Sequence, residues 1–230
     1  MKSSLVGKID CSRVRDLCRE YRWCSTLLPI IGYLQGFDEA HGLPHTVRVL
    51  CNVYNILAET SEKLEKERLE DLVIATLLHD IGRGIEEEAE QHHAVISAQL
   101  ASRILQLLGF SEERIDRIKT IILEHSYSLG NRPSSLESCI LSDADKLDAL
   151  GAIGVYRMSV VGYEASKPLL NIASHYYEKL EKLPSMMCLE VSKKKGREKL
   201  AVLKKFVEEL IKDSLEYEEA VIHIIDKAVI

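Results

Sequence analysis

The chain lacks several features that would assign it to a specialised class of protein. No apolar run approaches the roughly 18 residues that a membrane-spanning helix requires, and residues 1–10 contain no apolar stretch long enough for a signal peptide. The chain has no internal repeat and no low-complexity linker. We therefore expect one soluble, cytoplasmic domain that has no membrane partner.

The chain also lacks a net positive charge and closely paired cysteines. The formal net charge is -6, which argues against a general nucleic-acid surface because phosphate backbones are held by clustered Lys and Arg. None of the six cysteines forms a CxxC pair, so neither a zinc-finger signature nor a disulfide framework is recognisable. We predict that the cysteines are reduced and serve mostly in packing. They are Cys11, Cys18, Cys24, Cys51, Cys139 and Cys188.

What the chain does contain is helical periodicity along almost its whole length, without a convincing strand. Pro44 suits the first turn of a helix whose apolar face includes Val47, Leu50 and Tyr54. Ser134, with Glu137 three residues later, is predicted to start another helix as a capping box. The remaining predicted helices cover about residues 66–78, 93–108, 111–125, 173–183 and 199–217, with a loop at 159–167. This pattern predicts one all-α domain over residues 1–230.

His79-Asp80 is the most informative feature of the sequence. The dipeptide closes an apolar run over residues 72–78 and is followed by glycine-containing sequence that allows the backbone to turn. Burying an imidazole and a carboxylate without partners would cost several kcal/mol. A divalent metal would satisfy both groups, so the dipeptide indicates a metal centre.

Two further residues are candidates to complete the ligand set. His45 lies in the first turn of its predicted helix, and Asp145 lies in an acidic stretch downstream. Together with His79 and Asp80 they form a mixed nitrogen and oxygen set. This set suits one divalent ion, with Mn²⁺ favoured and Fe²⁺, Co²⁺, Ni²⁺, Zn²⁺ or Mg²⁺ as alternatives, and leaves coordination sites open. A second ion is a further alternative.

The pattern H…HD…D resembles the hallmark of the HD-domain superfamily of metal-dependent phosphohydrolases. Within that superfamily, the small YpgQ- and YedJ-like hydrolases have motifs similar to several stretches of this chain. These stretches cover residues 38–49, 93–98, 124–126, 143–154 and 177–180. The resemblance implies an HD-domain helical bundle with its core at about 38–183 and a C-terminal helical extension at about 184–230.

The resemblance also implies an activity. We expect hydrolysis of a phosphate ester or phosphoanhydride of a small metabolite, with a nucleotide as the favoured substrate and nucleoside triphosphate pyrophosphohydrolysis as one form of it. A homodimer is compatible with this expectation. Two alternatives stay open: a non-catalytic metal and nucleotide sensor, and an HD-type di-iron oxygenase that would need His93 and His125 as extra ligands.

The catalytic roles are assigned to residues near the HD dipeptide. Arg83 and His93 are expected to stabilise charge on the phosphoryl group, and Asp80 or Glu90 to relay the proton. The glutamates at 86–88 are expected to form a solvated charge run. The residues expected to contact substrate are His125, Lys146, Arg157 and Lys179.

This chain departs from the related hydrolases at two motif positions. Gly42 stands where relatives usually have Asp, and Ala94 stands where many have an acid. If that acid is the general base in relatives, another carboxylate has to serve here.

Overall fold

The computed structural model of the protein describes residues 11–164 and 169–228. These residues form helices joined by turns and contain no β-strand, which confirms the all-α class. None of the described helices combines the length and the apolar character needed to cross a membrane. The α-helices are α1 (Ser12–Glu20), α2 (Cys24–Gln35), α3 (Leu43–Glu59), α4 (Lys66–Leu78), α5 (Glu86–Ala89), α6 (His93–Leu107), α7 (Glu112–His125), α8 (Leu136–Asp148), α9 (Gly151–Glu164), α10 (Leu169–Glu178) and α11 (Glu190–Ala228). Short 3-10 segments cover Arg83–Ile85, Tyr127–Leu129 and Leu180–Met186.

The chain divides into two compact units. The first comprises Met1–Asp148 and Met187–Ser192, and the second comprises Ala149–Met186 and Lys193–Ile230. Helices α1 to α8 belong to the first unit, and α9 and α10 belong to the second. The expectation of a single domain with a C-terminal extension stays a prediction.

Helix α4 lies at the centre of the first unit. Every residue from Asp71 to Leu78 is buried, as expected for a helix that is apolar on nearly all sides. Helix α7 packs against α4, α6 and α8, and α3 packs against α8 and α4. The C-terminal end of α4 therefore delivers the next residue, His79, into the interior, where the side chain is fully buried.

Two arginine clamps tie α4 to its neighbours. Asp71 is buried and accepts hydrogen bonds from Nε of Arg114 at 2.8 Å and Nε of Arg117 at 3.0 Å, both on α7. Arg68 donates to the buried carboxylate of Glu137 on α8, with Nη2 2.8 Å from Oε2. Because a buried carboxylate is costly unless it is paired, these contacts hold the first half of α4 in register with α7 and α8.

The predicted loop at 159–167 is wrong over residues 159–164, which continue α9. Gly162 looked like a helix breaker, but a Cβ at this position would lie 2.6 Å from Cγ1 of Ile172. The glycine thus permits close packing of α9 on α10 instead of ending the helix. Residues 165–167 lie outside the described part of the chain.

The predicted capping box is also wrong in detail. The backbone N–H of Ser138 donates to Oγ of Ser135 at 3.1 Å, so Ser135 caps the start of α8. Ser134 instead donates from its hydroxyl to Glu124 at 2.7 Å.

The last two helices differ from their predicted bounds. Helix α10 spans Leu169–Glu178 instead of the predicted 173–183, and α11 spans Glu190–Ala228, well beyond the predicted 199–217.

The prediction that the cysteines are reduced is wrong for four of the six. Cys11 is disulfide-bonded to Cys51 and Cys18 to Cys24, with Cα–Cα distances of 5.1 and 4.9 Å. The partners are 40 and 6 residues apart in sequence, so no local spacing motif announces them. The cysteine pattern thus gives no support to a reducing compartment, and the cytoplasmic location stays a prediction.

Candidate metal centre

The HD dipeptide directly follows α4. The Nδ1–H of His79 donates to the carbonyl of Thr76 at 2.6 Å, which leaves Nε2 as the unprotonated ring nitrogen. This Nε2 atom is buried and has no hydrogen-bond partner among the residues that the structure describes. A buried acceptor without a partner is rare and costly, so this atom could bind a cation.

Gly82 allows the chain to turn tightly after the dipeptide. A Cβ at this position would lie 2.7 Å from both Cβ of Ile96 and the backbone nitrogen of Ser97. The backbone N–H of Gly82 donates to Oγ of Ser97 at 2.9 Å. The turn is therefore pinned against α6, and its glycine is required for close approach.

Helices α3 and α8 bring the other two predicted ligands to His79. His45 is fully buried in the first turn of α3, and its ring centroid lies 5.4 Å from that of His79. Nε2 of His45 is 3.4 Å from Oδ1 of Asp145 and 3.7 Å from Oδ2 of Asp80. The side chain of Asp145 is 31% exposed, so it marks the side of the cluster that faces solvent. All four predicted ligands are thus brought together.

Asp148 orients His45 and was missed by sequence reasoning. Its Oδ2 accepts from Nδ1 of His45 at 2.8 Å, and its Oδ1 accepts from Nε of Arg48 at 2.8 Å. A carboxylate on Nδ1 turns the other nitrogen of an imidazole toward a metal and raises its basicity. The available signal was the spacing of Asp145 and Asp148, which puts both on one face of α8.

The carboxylate of Asp80 contacts the guanidinium of Arg83 and lies near several imidazoles. Arg83 donates from Nε to its Oδ2 at 2.9 Å, while Oδ1 lies 3.5 Å from Nε2 of His93 and 3.7 Å from Nε2 of His125. Burial by itself would raise the pKa of Asp80, but its electrostatic interactions with the imidazole of His79 and the guanidinium of Arg83 outweigh burial and hold the pKa well below its usual range. Asp80 is therefore a carboxylate at neutral pH.

Glu86 is the carboxylate that contacts His93. It accepts from the His93 backbone N–H at 3.0 Å and from the ring Nδ1–H at 3.1 Å, while Nε2 of the ring accepts from Nη2 of Arg83 at 3.1 Å. The expectation that Glu86 belongs to a solvated charge run is therefore wrong. Glu90 is exposed with a backbone φ of 48°, and its proton-relay role stays a prediction.

Lys146 is connected to His125 through Ser142. The Nδ1–H of His125 donates to the carbonyl of Ile122 at 2.5 Å, so Nε2 faces Asp80. Lys146 is buried, and its ammonium donates to the carbonyl of Ser142 at 3.2 Å and to the Ser142 hydroxyl. That hydroxyl in turn donates to the His125 carbonyl at 2.9 Å. A buried cation is thus held beside the His125 end of α7.

The other two predicted substrate contacts lie in the second unit. Arg157 is on α9, and Lys179 follows α10. Their role in substrate binding stays a prediction.

The departure at Gly42 has a packing cause. A Cβ there would lie 2.6 Å from the carbonyl oxygen of Asp38 and 2.9 Å from that of Gly36. The Gly42 N–H also donates to the Asp38 carbonyl at 3.0 Å. An acidic side chain therefore does not fit this backbone, so the carboxylates beside His45 come from α8.

Three groups of side chains among the described residues have metal-ligand geometry. Within each group, one possible ligand atom per residue lies within 4.8 Å of the others. The groups are His45 with His79 and Asp145, His79 with Asp80 and His125, and Glu86 with His92 and His93.

The first two groups fit a divalent ion better than the third. They share the buried Nε2 of His79, which makes no hydrogen bond among the described residues, and they offer the nitrogen and oxygen donors that first-row metals accept. In the third group, both ring nitrogens of His92 are already within hydrogen-bond distance of Ser128 or the Ala94 N–H, at 2.8 and 3.1 Å. The residues present therefore form a cluster that could hold a divalent metal at His79.

Comparison with known proteins gives the class of the domain. Residues 44–150 match the HD domain family. The match begins at the first turn of α3 and ends just after α8. It therefore contains all four predicted ligands.

Individual proteins of known sequence or structure also resemble the chain. The chain is 27% identical over 184 residues to the uncharacterized protein YpgQ of Bacillus subtilis, covering 76% of this chain and 86% of YpgQ. It is similar to the crystal structure of a predicted HD superfamily hydrolase from an uncultured Thermotogales bacterium, with a TM-score of 0.63 and 26% identity. The similarity covers 87% of this chain and 98% of the Thermotogales chain. The structure of B. subtilis YpgQ in complex with ADP has a TM-score of 0.62 at 22% identity, covering 81% and 97%. The resemblance to YpgQ-like HD proteins is thereby confirmed.

The buried histidines predict how stability depends on pH in the metal-free protein. Burial, followed by the charge of His79, lowers the pKa of His125 to about 3, and burial also lowers the pKa values of His79 and His93. In the unfolded chain these groups titrate near a pKa of about 6.5. At a pH between the folded-state and unfolded-state pKa values of these histidines, the unfolded chain binds more protons than the folded one. The free energy of unfolding therefore falls as the pH drops below about 6.5.

We expect His125 alone to make unfolding about 1 kcal/mol easier at pH 5.5 than at pH 7.0. Urea denaturation in the presence of EDTA measures the change. His125→Asn should reduce the pH-dependent loss by that amount. Equal pH dependence in wild type and His125→Asn would contradict the assignment.

Proposed function

We propose that the protein is a metal-dependent phosphohydrolase that acts on a small phosphorylated metabolite, with a nucleotide as the favoured substrate class. The observation that carries the proposal is the buried Nε2 of His79, which makes no hydrogen bond among the described residues and stands beside the carboxylates of Asp80 and Asp145. The Thermotogales neighbour is a predicted HD superfamily hydrolase, and YpgQ has been crystallised in complex with ADP. Both facts favour hydrolysis of a phosphorylated ligand.

In this proposal one divalent ion, with Mn²⁺ favoured, is held by His45, His79, Asp80 and Asp145. When bound, such an ion polarises a phosphoryl oxygen and lowers the pKa of a water molecule. Asp148 keeps His45 in the tautomer that offers Nε2 to the ion, because Nδ1–H is engaged at 2.8 Å. A second ion would use Asp80 and His125, because the one unprotonated nitrogen of His79 binds a single ion.

Arg83 serves to bind the phosphoryl group. Its guanidinium is fixed by Asp80 through Nε at 2.9 Å and Nη2 at 3.3 Å, and its side chain remains 31% exposed. A guanidinium held in this way offers further N–H groups to phosphate oxygens without the cost of ordering the side chain. Lys146 and His125 provide further positive or hydrogen-bonding contacts to the substrate. Arg157 and Lys179 are additional predicted substrate contacts.

His93 and Glu86 form a dyad suited to proton transfer. Glu86 accepts the Nδ1–H of His93 and so fixes the imidazole with Nε2 toward the cluster. A carboxylate that orients a histidine in this manner also stabilises the imidazolium that forms when Nε2 takes a proton. In our proposal, Nε2 of His93 takes the proton of the attacking water, and Glu86 replaces Glu90 as the supporting carboxylate.

The oxygenase alternative is less favoured by the geometry. A di-iron centre would need His93 as an extra ligand beside His79 and Asp80, but among the described residues His93 falls in a group with Glu86 and His92 and in neither of the groups that contain His79. The sensor alternative keeps the same ligands and differs in turnover only. Calorimetric titration of a nucleotide, run beside a product assay, separates tight binding without turnover from catalysis.

The proposed activity is tested with a panel of phosphorylated metabolites and Mn²⁺, scoring phosphate and pyrophosphate separately. The wild-type protein should hydrolyse at least one nucleotide. His79→Ala/Asp80→Ala should lose more than about 100-fold of that rate, because altering even the outer partners of metal ligands costs 10- to 100-fold.

The matched control is Asp116→Asn, which changes an exposed carboxylate on α7 and should retain the wild-type rate. Circular dichroism establishes that both variants are folded. Undiminished hydrolysis by the double variant would refute the assignment of this cluster as the active site.

The dyad predicts different effects for neighbouring glutamates. Glu86→Gln should lower kcat by about 10- to 100-fold and move the acidic limb of the pH–rate profile, because the amide no longer stabilises the imidazolium of His93. Glu88→Gln, an exposed change on the same short helix, should behave as wild type. Steady-state kinetics across pH 5 to 9 provides the measurement.

Glu90→Gln tests the sequence-based alternative in the same assay. A large loss at Glu90 with a normal pH profile for Glu86→Gln would show that the dyad is wrong and that Glu90 relays the proton.

A further inference from the structure

The two cysteines that are not disulfide-bonded in the structure, Cys139 and Cys188, lie on adjoining segments of the first unit. Cys139 is in the first turns of α8, and Cys188 lies two residues before α11 begins at Glu190. Asp143 is one helical turn beyond Cys139, so the two side chains share a face of α8. Its carboxylate accepts from the backbone N–H groups of Cys188 at 2.8 Å and Leu189 at 2.9 Å.

This anchoring brings the two thiols together. The side chains of Cys139 and Cys188 are neighbours, and their interaction, followed by burial, raises the pKa of the Cys139 thiol. Both residues are only half-buried, so a small reagent in solution can reach them. Neither spacing nor composition announces the pair, since 49 residues separate the two positions.

The remaining cysteines are already paired in the same manner. Cys11 is bonded to Cys51 and Cys18 to Cys24. All six cysteines of the chain therefore fall into three close pairs. Such complete pairing is expected of a chain whose cysteines serve as crosslinks and not of one whose cysteines are scattered packing residues.

We propose that Cys139 and Cys188 are a third disulfide-forming pair, which ties helix α8 to the start of α11. In the reaction, one thiolate attacks a low-molecular-weight disulfide such as oxidised glutathione and displaces one glutathione. The other cysteine then attacks the mixed disulfide, forms the intramolecular S–S bond and releases the second glutathione. The protein loses two electrons and two protons, and glutathione disulfide is reduced to two molecules of glutathione.

The crosslink would brace the helix that carries Asp145 and Asp148. It joins α8 to the segment Met187–Ser192, which is otherwise attached to α8 through the hydrogen bonds of Asp143. Closing this loop restricts the unfolded chain and so stabilises the folded one. The inference does not depend on the proposed phosphohydrolase activity.

The test incubates the folded full-length chain with oxidised glutathione. The protein is then alkylated and digested without reduction, and its peptides are mapped by mass spectrometry. We expect a peptide linked through Cys139 and Cys188. Because four of the six cysteines are in disulfides, the unfolded protein should titrate two thiols before this treatment and none after it. The oxidised protein should also unfold at a higher temperature than Cys139→Ser/Cys188→Ser.

Single serine variants provide matched controls. In Cys139→Ser the remaining Cys188 should keep a stable glutathione adduct, and in Cys188→Ser the adduct should stay on Cys139, because neither can resolve its mixed disulfide. Wild-type protein that retains both thiols, or that carries stable glutathione on both cysteines, would overturn the proposal. This mapping of the wild-type chain decides the question even if a variant does not fold.

Discussion

The structure of the first unit depends on one constraint: a histidine and an aspartate are buried at the end of an apolar helix and must be satisfied there. Helix α4 ends in the interior, so His79 and Asp80 cannot reach bulk water. Side chains from several segments offset the cost of burying them. Arg83 hydrogen-bonds to Asp80, and His45 lies beside the carboxylates of Asp80 and Asp145. Nε2 of His79 is left without a hydrogen bond among the described residues. In our proposal, a divalent ion binds at that position.

The surrounding side chains act as supports for this cluster. Asp148 holds His45 through Nδ1, and Glu86 holds His93 in the same way. Each histidine thereby presents Nε2 inward, and no rotation of the ring is needed when a ligand arrives. One carboxylate–histidine pair serves the proposed metal and the other serves the proposed proton transfer, so the same physical device is used twice around one site.

Sequence reasoning worked where chemistry and periodicity are local. Helix α4 has the predicted bounds, and the dipeptide after it occupies the predicted place. It failed where the partner comes from elsewhere in the chain. Glu86 looked like part of a solvated acidic run, because its contact with His93 depends on the turn that Gly82 permits. The bond between Cys11 and Cys51 likewise depends on how α1 lies against α3, which no spacing encodes.

The most direct test of the account is anomalous diffraction from crystals of the protein grown with Mn²⁺. We predict a manganese peak within coordination distance of Nε2 of His45 and Nε2 of His79, with carboxylate oxygens of Asp80 and Asp145 completing the protein ligands. The peak should disappear in His79→Ala crystals grown in the same way. A fully occupied manganese peak at Glu86, His92 and His93, with none beside His79, would contradict the account.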